Sequence, residues 1–292
     1  MDGGGVRCIM HSIILGRILE RYPSFLENTE MFAGCSGAAL VSAGLVTGLP
    51  PDVIGRLTEI TTAQTLTKSE GNGITGVRYT TRWLRLMGDL VLGNVQLKNL
   101  SRHVVIPSYS LDGGEKGEKR RGDVLFMTNA VDDPTNDLFL KDACLRSSSA
   151  PTYFRCYQSN LDGGLFANNP SGCALPIVVG SQPDGLGIPP ENVVCLSLGT
   201  GFGYKACFEE PGVIEGGFLQ WGTTLLDIIN VSQSDYIGRC CRAVLGKRYF
   251  RCQPTLSSYI RLDNVKDIEY LKSLAEEYPL DSLFEWIDEN WF

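Results

Sequence analysis

The pentapeptide Gly34-Cys35-Ser36-Gly37-Ala38 lies where a short apolar run, residues 30–35, gives way to small residues, 37–49, ending at Pro50-Pro51. A chain that passes from strand to helix within a few residues must turn sharply. The residue at the apex then projects its side chain outward, the geometry of a nucleophile elbow. Small residues two before and two after the apex let strand and helix approach. Ala38 stands where a second glycine is usual and adds one methyl. This setting predicts a layered α/β fold with Ser36 exposed at the turn; the pentapeptide alone would also suit an inert Gly/Ser turn.

The rest of the chain alternates in the same way, as an α/β layered fold does. Ile9, Ile13, Ile14, Ile18 and Leu19 recur at helical spacing over Ile9–Arg21. Helices are predicted at 53–62, 79–92 (a cap or surface helix) and 143–150, and over Phe218–Leu245, the longest helical stretch. Residues 265–292 form one or two amphipathic helices. Strands are predicted at 104–106, 124–128, 154–161 and 193–198, with a charged loop at 111–123. No repeat or long linker divides the chain, so it reads as one domain, residues 1–292, with motifs in 1–203 and a helical part in 204–292.

Two further motifs bear on chemistry. Asp2-Gly3-Gly4-Gly5-Val6-Arg7 precedes a helix, and successive glycine N–H groups there make a concave donor site for an anion. In acyl transfer that anion is the tetrahedral oxyanion. A Walker-type phosphate loop is the rival, but Val6-Arg7-Cys8 lacks its Gly-Lys-Ser/Thr; a flexible terminus is the inert alternative. Leu161-Asp162-Gly163-Gly164 has an internal control in Leu111-Asp112-Gly113-Gly114, which runs into charged residues and reads as a solvated turn. The copy at 161 leads into Leu165-Phe166, and its aspartate is a candidate buried carboxylate. Gly199-Thr200-Gly201-Phe202-Gly203 follows a strand but has Tyr204 where a dinucleotide fingerprint needs a third glycine, so it reads as a structural turn. His11 and His103 read as packing or surface residues.

Composition narrows the function classes. Lys and Arg number 26 against 33 Asp and Glu, for a formal charge of −7, and no basic stripe offsets it. Nucleic-acid binding, which rests on cations meeting phosphates, is therefore not expected. No apolar run approaches the ~20 residues of a membrane-spanning helix. The ten cysteines are scattered, apart from Cys240-Cys241, without C-x-x-C spacing; they read as small buried residues of a reducing compartment, with no disulfide or metal site. The start shows no export signal. A glycine turn that opens a chain lacks the element it should follow, so the start reads as truncated or misassigned.

Together these residues resemble the patatin-like phospholipase family. Asp2-Gly3-Gly4-Gly5-Val6-Arg7 is similar to its oxyanion motif, Gly34-Cys35-Ser36-Gly37-Ala38 to its elbow and Asp162-Gly163-Gly164 to its aspartate motif. Val105-Ile106-Pro107, the run Ser148-Ser149-Ala150-Pro151-Thr152-Tyr153-Phe154, and Ser197-Leu198-Gly199-Thr200-Gly201 also match, in order, between residues 2 and about 203. Two departures stand out: Cys8 replaces a glycine, and the strand that precedes the glycine loop in the family is missing. The resemblance implies a three-layer α/β/α fold with a mostly parallel central sheet, and a Ser36–Asp162 dyad without histidine. It also implies an oxyanion hole at Gly3, Gly4 and Gly5, with loop support from Arg7, Gly34, Gly37, Gly163 and Gly164. It implies hydrolysis of lipid esters with no cofactor or metal; with the isolated cysteines and the lack of an export signal or spanning run, the expectation is a cytoplasmic protein that touches membranes or micelles transiently. The alternatives are a thioesterase or esterase with a Ser-Asp-His triad, and an inactive binding or storage relative.

Overall fold

The computed structural model of the chain describes residues 1–112, 122–203 and 218–292. Its strands are β1 (Met31–Ala33), β2 (His103–Ser110), β3 (Asp123–Thr128), β4 (Asn160–Asp162), β5 (Cys195–Leu198), β6 (Phe202–Gly203), β7 (Tyr249–Cys252) and β8 (Thr255–Leu256). Its helices are α1 (Ile9–Arg21), α2 (Gly37–Val46), α3 (Pro51–Leu66), α4 (Arg82–Val91), α5 (Leu140–Ser147), α6 (Gly164–Ala167), α7 (Ser171–Val179), α8 (Phe218–Leu245), α9 (Ile268–Glu277) and α10 (Asp281–Asn290). The α/β class expected from the sequence is the class observed. β1 runs parallel to β2, β5 to β7 and β6 to β8, while β3 and β4 run antiparallel to β2. Parallel pairings thus outnumber antiparallel ones among the described residues, and the four-stranded sheet mixes both.

β2 organises the site. β1 and β4 both pair with it, but at opposite ends: Ala33 lies opposite Val105, and Asp162 opposite Ser108. One strand runs along β2 and the other against it, so their C-terminal ends point toward each other. Three residues of β2, roughly 10 Å, separate the two registers. Ser36 follows one strand end and Asp162 closes the other. Between β1 and β5, the first two residues bridge the backbone. The Met1 ammonium donates to Ala33 O (2.8 Å), and Asp2 N–H donates to Leu198 O (2.9 Å).

One apolar cluster runs from Val6 to Ile287 and joins α1, α2, β2, α9 and α10. α1 buries Ile9, Met10, Ile14, Leu15 and Ile18. α2 is apolar on all sides and nearly all buried, as a central helix must be. The Arg17 guanidinium donates to Ala275 O and Tyr278 O, satisfying carbonyls at the C-terminal end of α9. The two C-terminal helices are therefore welded to the core that carries the site.

Several boundaries differ from the sequence reading. The strand expected at 154–161 shrinks to Asn160–Asp162, because Gln158 and Ser159 take positive φ values of 48° and 59° in a tight turn. The strand at 104–106 extends over His103–Ser110, where it finds partners on both edges. The helix at 143–150 begins and ends three residues earlier, as α5. The charged loop at 111–123 lies mostly outside the described residues. The nine cysteines that are described carry free thiols. No described helix is long and apolar enough to cross a membrane.

Candidate active site

Ser36 sits at the apex of the β1–α2 turn with φ 53° and ψ −128°. A non-glycine residue held at positive φ costs on the order of 1–3 kcal/mol, and such strain persists only where the surroundings fix it. Here the fixing groups come from the end of α5. Ser36 N–H donates to Ser147 Oγ (3.0 Å), and Ser148 Oγ donates to Ser36 O (3.0 Å). Gly34 allows the turn to close: a Cβ there would lie 2.3 Å from Ala38 O and from Ser42 Oγ. The methyl of Ala38 itself is buried without conflict.

The serine hydroxyl donates to Asp162 Oδ2 at 2.6 Å. The other carboxylate oxygen accepts from Gly164 N–H (2.7 Å) and, weakly, from the Cys35 thiol (3.9 Å). Asp162 is almost completely buried. Burial pushes its pKa up from 3.8 to about 6, although the Ser36, Gly164 and Cys35 hydrogen bonds pull the other way. A carboxyl of that pKa is ionised at neutral pH yet basic enough to take a proton. Gly163 packs against β2, where a Cβ would lie 2.3 Å from Pro107 O.

The glycine loop lies beside the pair. Gly3 N–H is committed to Asn168 O (3.0 Å), which removes it from the expected set of oxyanion donors. Val6 N–H is likewise engaged with Leu262 O (2.9 Å). The N–H groups of Gly4 and Gly5 have no partner among the described residues. Gly5 has φ +56° and lies so close to Leu262 O that a Cβ would approach it to 2.1 Å. Gly37, the first residue of α2, packs on Gly5 and Cys8. The Cys8 thiol that replaces a glycine donates to Asp2 O at 3.7 Å, so the larger residue is absorbed in the interior. Arg7 Nε reaches Gly4 O at 3.5 Å.

Neither histidine reaches Ser36. His11 is fully buried, and burial pushes its pKa down to about 3. The Leu198–Gly199 backbone lies near its ring, but neither ring nitrogen makes a well-formed hydrogen bond. His103 opens β2, and its Nδ1 also lacks a partner among the described residues. Behind Ser36 opens an apolar cavity of about 130 Å³, walled by Leu40 of α2, Ile54 and Leu57 of α3, and Leu84, Met87 and Val91 of α4.

Sequence reasoning singled out the stretches around Ser147 and Ser148 without giving them a role, and read the stretch around Thr200 as a structural turn. The serines brace the elbow, and Thr200 Oγ donates to Gly3 O at 3.0 Å. Asn168 followed the aspartate motif without a role; its carbonyl orients the glycine loop. Arg251, which grips Asp2, went unnoticed because nothing in Tyr249–Cys252 sets it apart from any short strand.

The chain is similar to known proteins along most of its length. Protein teg of Priestia megaterium is 24% identical over 323 residues, spanning 99% of this chain and 97% of its own length. Patatin-like protein 2 of Arabidopsis thaliana is 27% identical across 90% of this chain and 74% of its own. The cGAMP-activated phospholipase of Escherichia coli is 28% identical across 68% of this chain and 60% of its own. The patatin-like phospholipase family model matches residues 1–174, which include the glycine loop, the elbow and the aspartate, and the chain belongs to that family.

Proposed function

We propose that the protein hydrolyses carboxylic esters of lipids, phospholipids and lysophospholipids among them, through a Ser36–Asp162 dyad. The observation that carries this reading is the 2.6 Å Ser36–Asp162 hydrogen bond at the mouth of an apolar cavity. Ser36 Oγ attacks the ester carbonyl while Asp162 takes its proton. The N–H groups of Gly4 and Gly5 receive the oxyanion at the N-terminal side of α2. Asp162 then gives the proton to the departing alcohol, and the acyl group stays on Ser36. In the second half, Asp162 takes a proton from water, water attacks the acyl carbonyl, and the fatty acid leaves as Ser36 recovers its proton. The acyl chain lies among Leu40, Ile54, Leu57 and Met87.

α4 connects this chemistry to a lipid surface. Leu84, Met87, Gly88 and Val91 face the cavity, while Trp83, Leu86 and Leu90 of the same helix face solvent, Leu90 at 71% exposure. Arg82 and Arg85 are exposed beside them. Apolar side chains next to cations suit transient contact with an anionic lipid aggregate. The reading also carries the family's three-layer α/β/α arrangement.

The deciding experiment is fluorophosphonate labelling and ester turnover of Ser36→Ala. Both should vanish while the circular dichroism spectrum stays that of the wild type. A folded Ser36→Ala protein that still turns over would overturn the assignment, and an unlabelled, inactive wild type would make the protein a binding relative.

A further inference from the structure

The donors that face an oxyanion must be held in place before charge develops, because a displaced donor loses most of its effect. In this chain the donors belong to a loop of three consecutive glycines, whose backbone has few conformational restraints of its own. Its anchors are therefore external. Gly3 contributes two, N–H to Asn168 O and carbonyl from Thr200 Oγ. Val6 contributes one, to Leu262 O. Arg7 reaches Gly4 O, and Asp2, immediately ahead of the glycines, is held through its backbone, with N–H on Leu198 O and the carbonyl accepting from the Cys8 thiol, and also through its side chain.

Asp2 is 2% exposed, and Arg251 is the one side chain that bonds its carboxylate among the described residues. Nη1 of Arg251 donates to Asp2 Oδ1 at 2.7 Å, and Nη2 donates to Oδ2, a bidentate fork. Nη1 also donates to Ser197 Oγ at 2.7 Å, which ties the guanidinium to β5. Ser197 and Arg251 are register partners in the parallel β5–β7 pair, so both strands fix the arginine. Burial alone would disfavour its charge, but the Asp2 carboxylate holds its pKa above the ordinary arginine value.

We infer that Arg251 is a positioning residue for catalysis: through its fork to Asp2 it sets the direction in which the Gly4 and Gly5 N–H groups point. It touches neither substrate nor dyad. It lies 249 positions along the chain from Asp2 and outside the 174 residues that the family model matches. The C-terminal part of the chain thus completes a site whose reacting groups all lie in the N-terminal part. The inference rests on the hydrolase reading above.

The test is steady-state hydrolysis of a p-nitrophenyl acyl ester by Arg251→Met, Arg251→Lys and the double variant Asp2→Asn/Arg251→Met. Wild type and Ser36→Ala are run beside them. Arg251→Met leaves a buried carboxylate unpaired and loses stability; the double variant removes that charge and restores folding without restoring the fork. In the folded double variant kcat should fall about 10²-fold, the cost of a donor misplaced by about 1 Å. KM should stay within about twofold, and the acid limb of the pH profile near 6 should persist because Asp162 is untouched. A trifluoromethyl ketone, whose carbonyl adds Ser36 Oγ to give a hemiketal oxyanion in the hole, should lose affinity in step with kcat/KM. Arg251→Lys, which offers a single charge without a fork, should fall between. Wild-type kcat in the folded double variant would overturn the inference. So would a loss that tracks only the folded fraction in all three variants, which would make the pair a structural clamp. Persistent turnover by Ser36→Ala would instead sink the Ser36–Asp162 assignment, and an inactive wild type the hydrolase reading, each independently of Arg251.

Discussion

Replacing Asp162 with asparagine should abolish activity and make the protein more stable, in a way that depends on pH. The carboxyl has a pKa of about 6 in the folded chain and an ordinary value of 3.8 when unfolded. Below pH 3.8 both states hold the proton and the group favours neither. Between 3.8 and 6 the unfolded state ionises first, so stability is lost as pH rises toward the folded value. Above 6 both are ionised and the loss is complete. The gap corresponds to about 3 kcal/mol, at 1.36 kcal/mol for each tenfold change in proton affinity. Asparagine removes that penalty and keeps the local bonds: its oxygen accepts from Gly164 N–H, and its amide donates to Ser36 Oγ. Urea unfolding of wild type and Asp162→Asn at pH 4, 5, 6 and 7.5 measures the difference. The variant should exceed wild type by only about 0.5 kcal/mol at pH 4 and by about 3 kcal/mol above pH 6, while kcat falls by several orders of magnitude. A gap that is absent, or equal at every pH, would show that the carboxyl is not held in the dry site from which its basicity is argued.

Other outcomes follow from the same geometry. Gly34→Ala should cost about 1–3 kcal/mol or more, measured by denaturant midpoint, because its Cβ meets the Ala38 carbonyl at 2.3 Å. Gly44→Ala places a Cβ 2.8 Å from Ile54 Cδ1. Pushing Ile54 into the cavity should lower kcat/KM for long-chain esters about tenfold relative to short ones. His103→Ala should keep wild-type kcat; His11→Ala should lower Tm by opening a cavity but keep kcat in the folded fraction, and a loss matching Ser36→Ala would restore a triad. Leu86→Asp/Leu90→Asp should weaken sedimentation with anionic phosphatidylglycerol vesicles while leaving hydrolysis of a soluble short-chain ester unchanged.

The local backbone shapes of the three motifs were legible in the sequence because each is a local requirement. A strand-to-helix turn needs small neighbours, and Gly34 and Ala38 supply them around Ser36. A tight loop ahead of a helix needs glycines, and Gly4 and Gly5 supply them. The helix over Ile9–Arg21 was readable because its apolar spacing is carried by adjacent turns of one segment. What the sequence could not contain was distance. Two identical Leu-Asp-Gly-Gly segments occur, and only pairing with β2 brings one aspartate to 2.6 Å from Ser36 and shields it enough to raise its pKa. The third expected oxyanion donor, Gly3, was lost to Asn168, a residue 165 positions away, because a backbone amide looks the same in sequence whether it is free or bonded. Arg251 was invisible for a related reason. An arginine in a short strand is ordinary until folding buries it against Asp2, where low dielectric and bidentate geometry turn a surface residue type into an anchor. Local conformational demands are written residue by residue, whereas burial and long-range pairing exist only once the tertiary structure has formed.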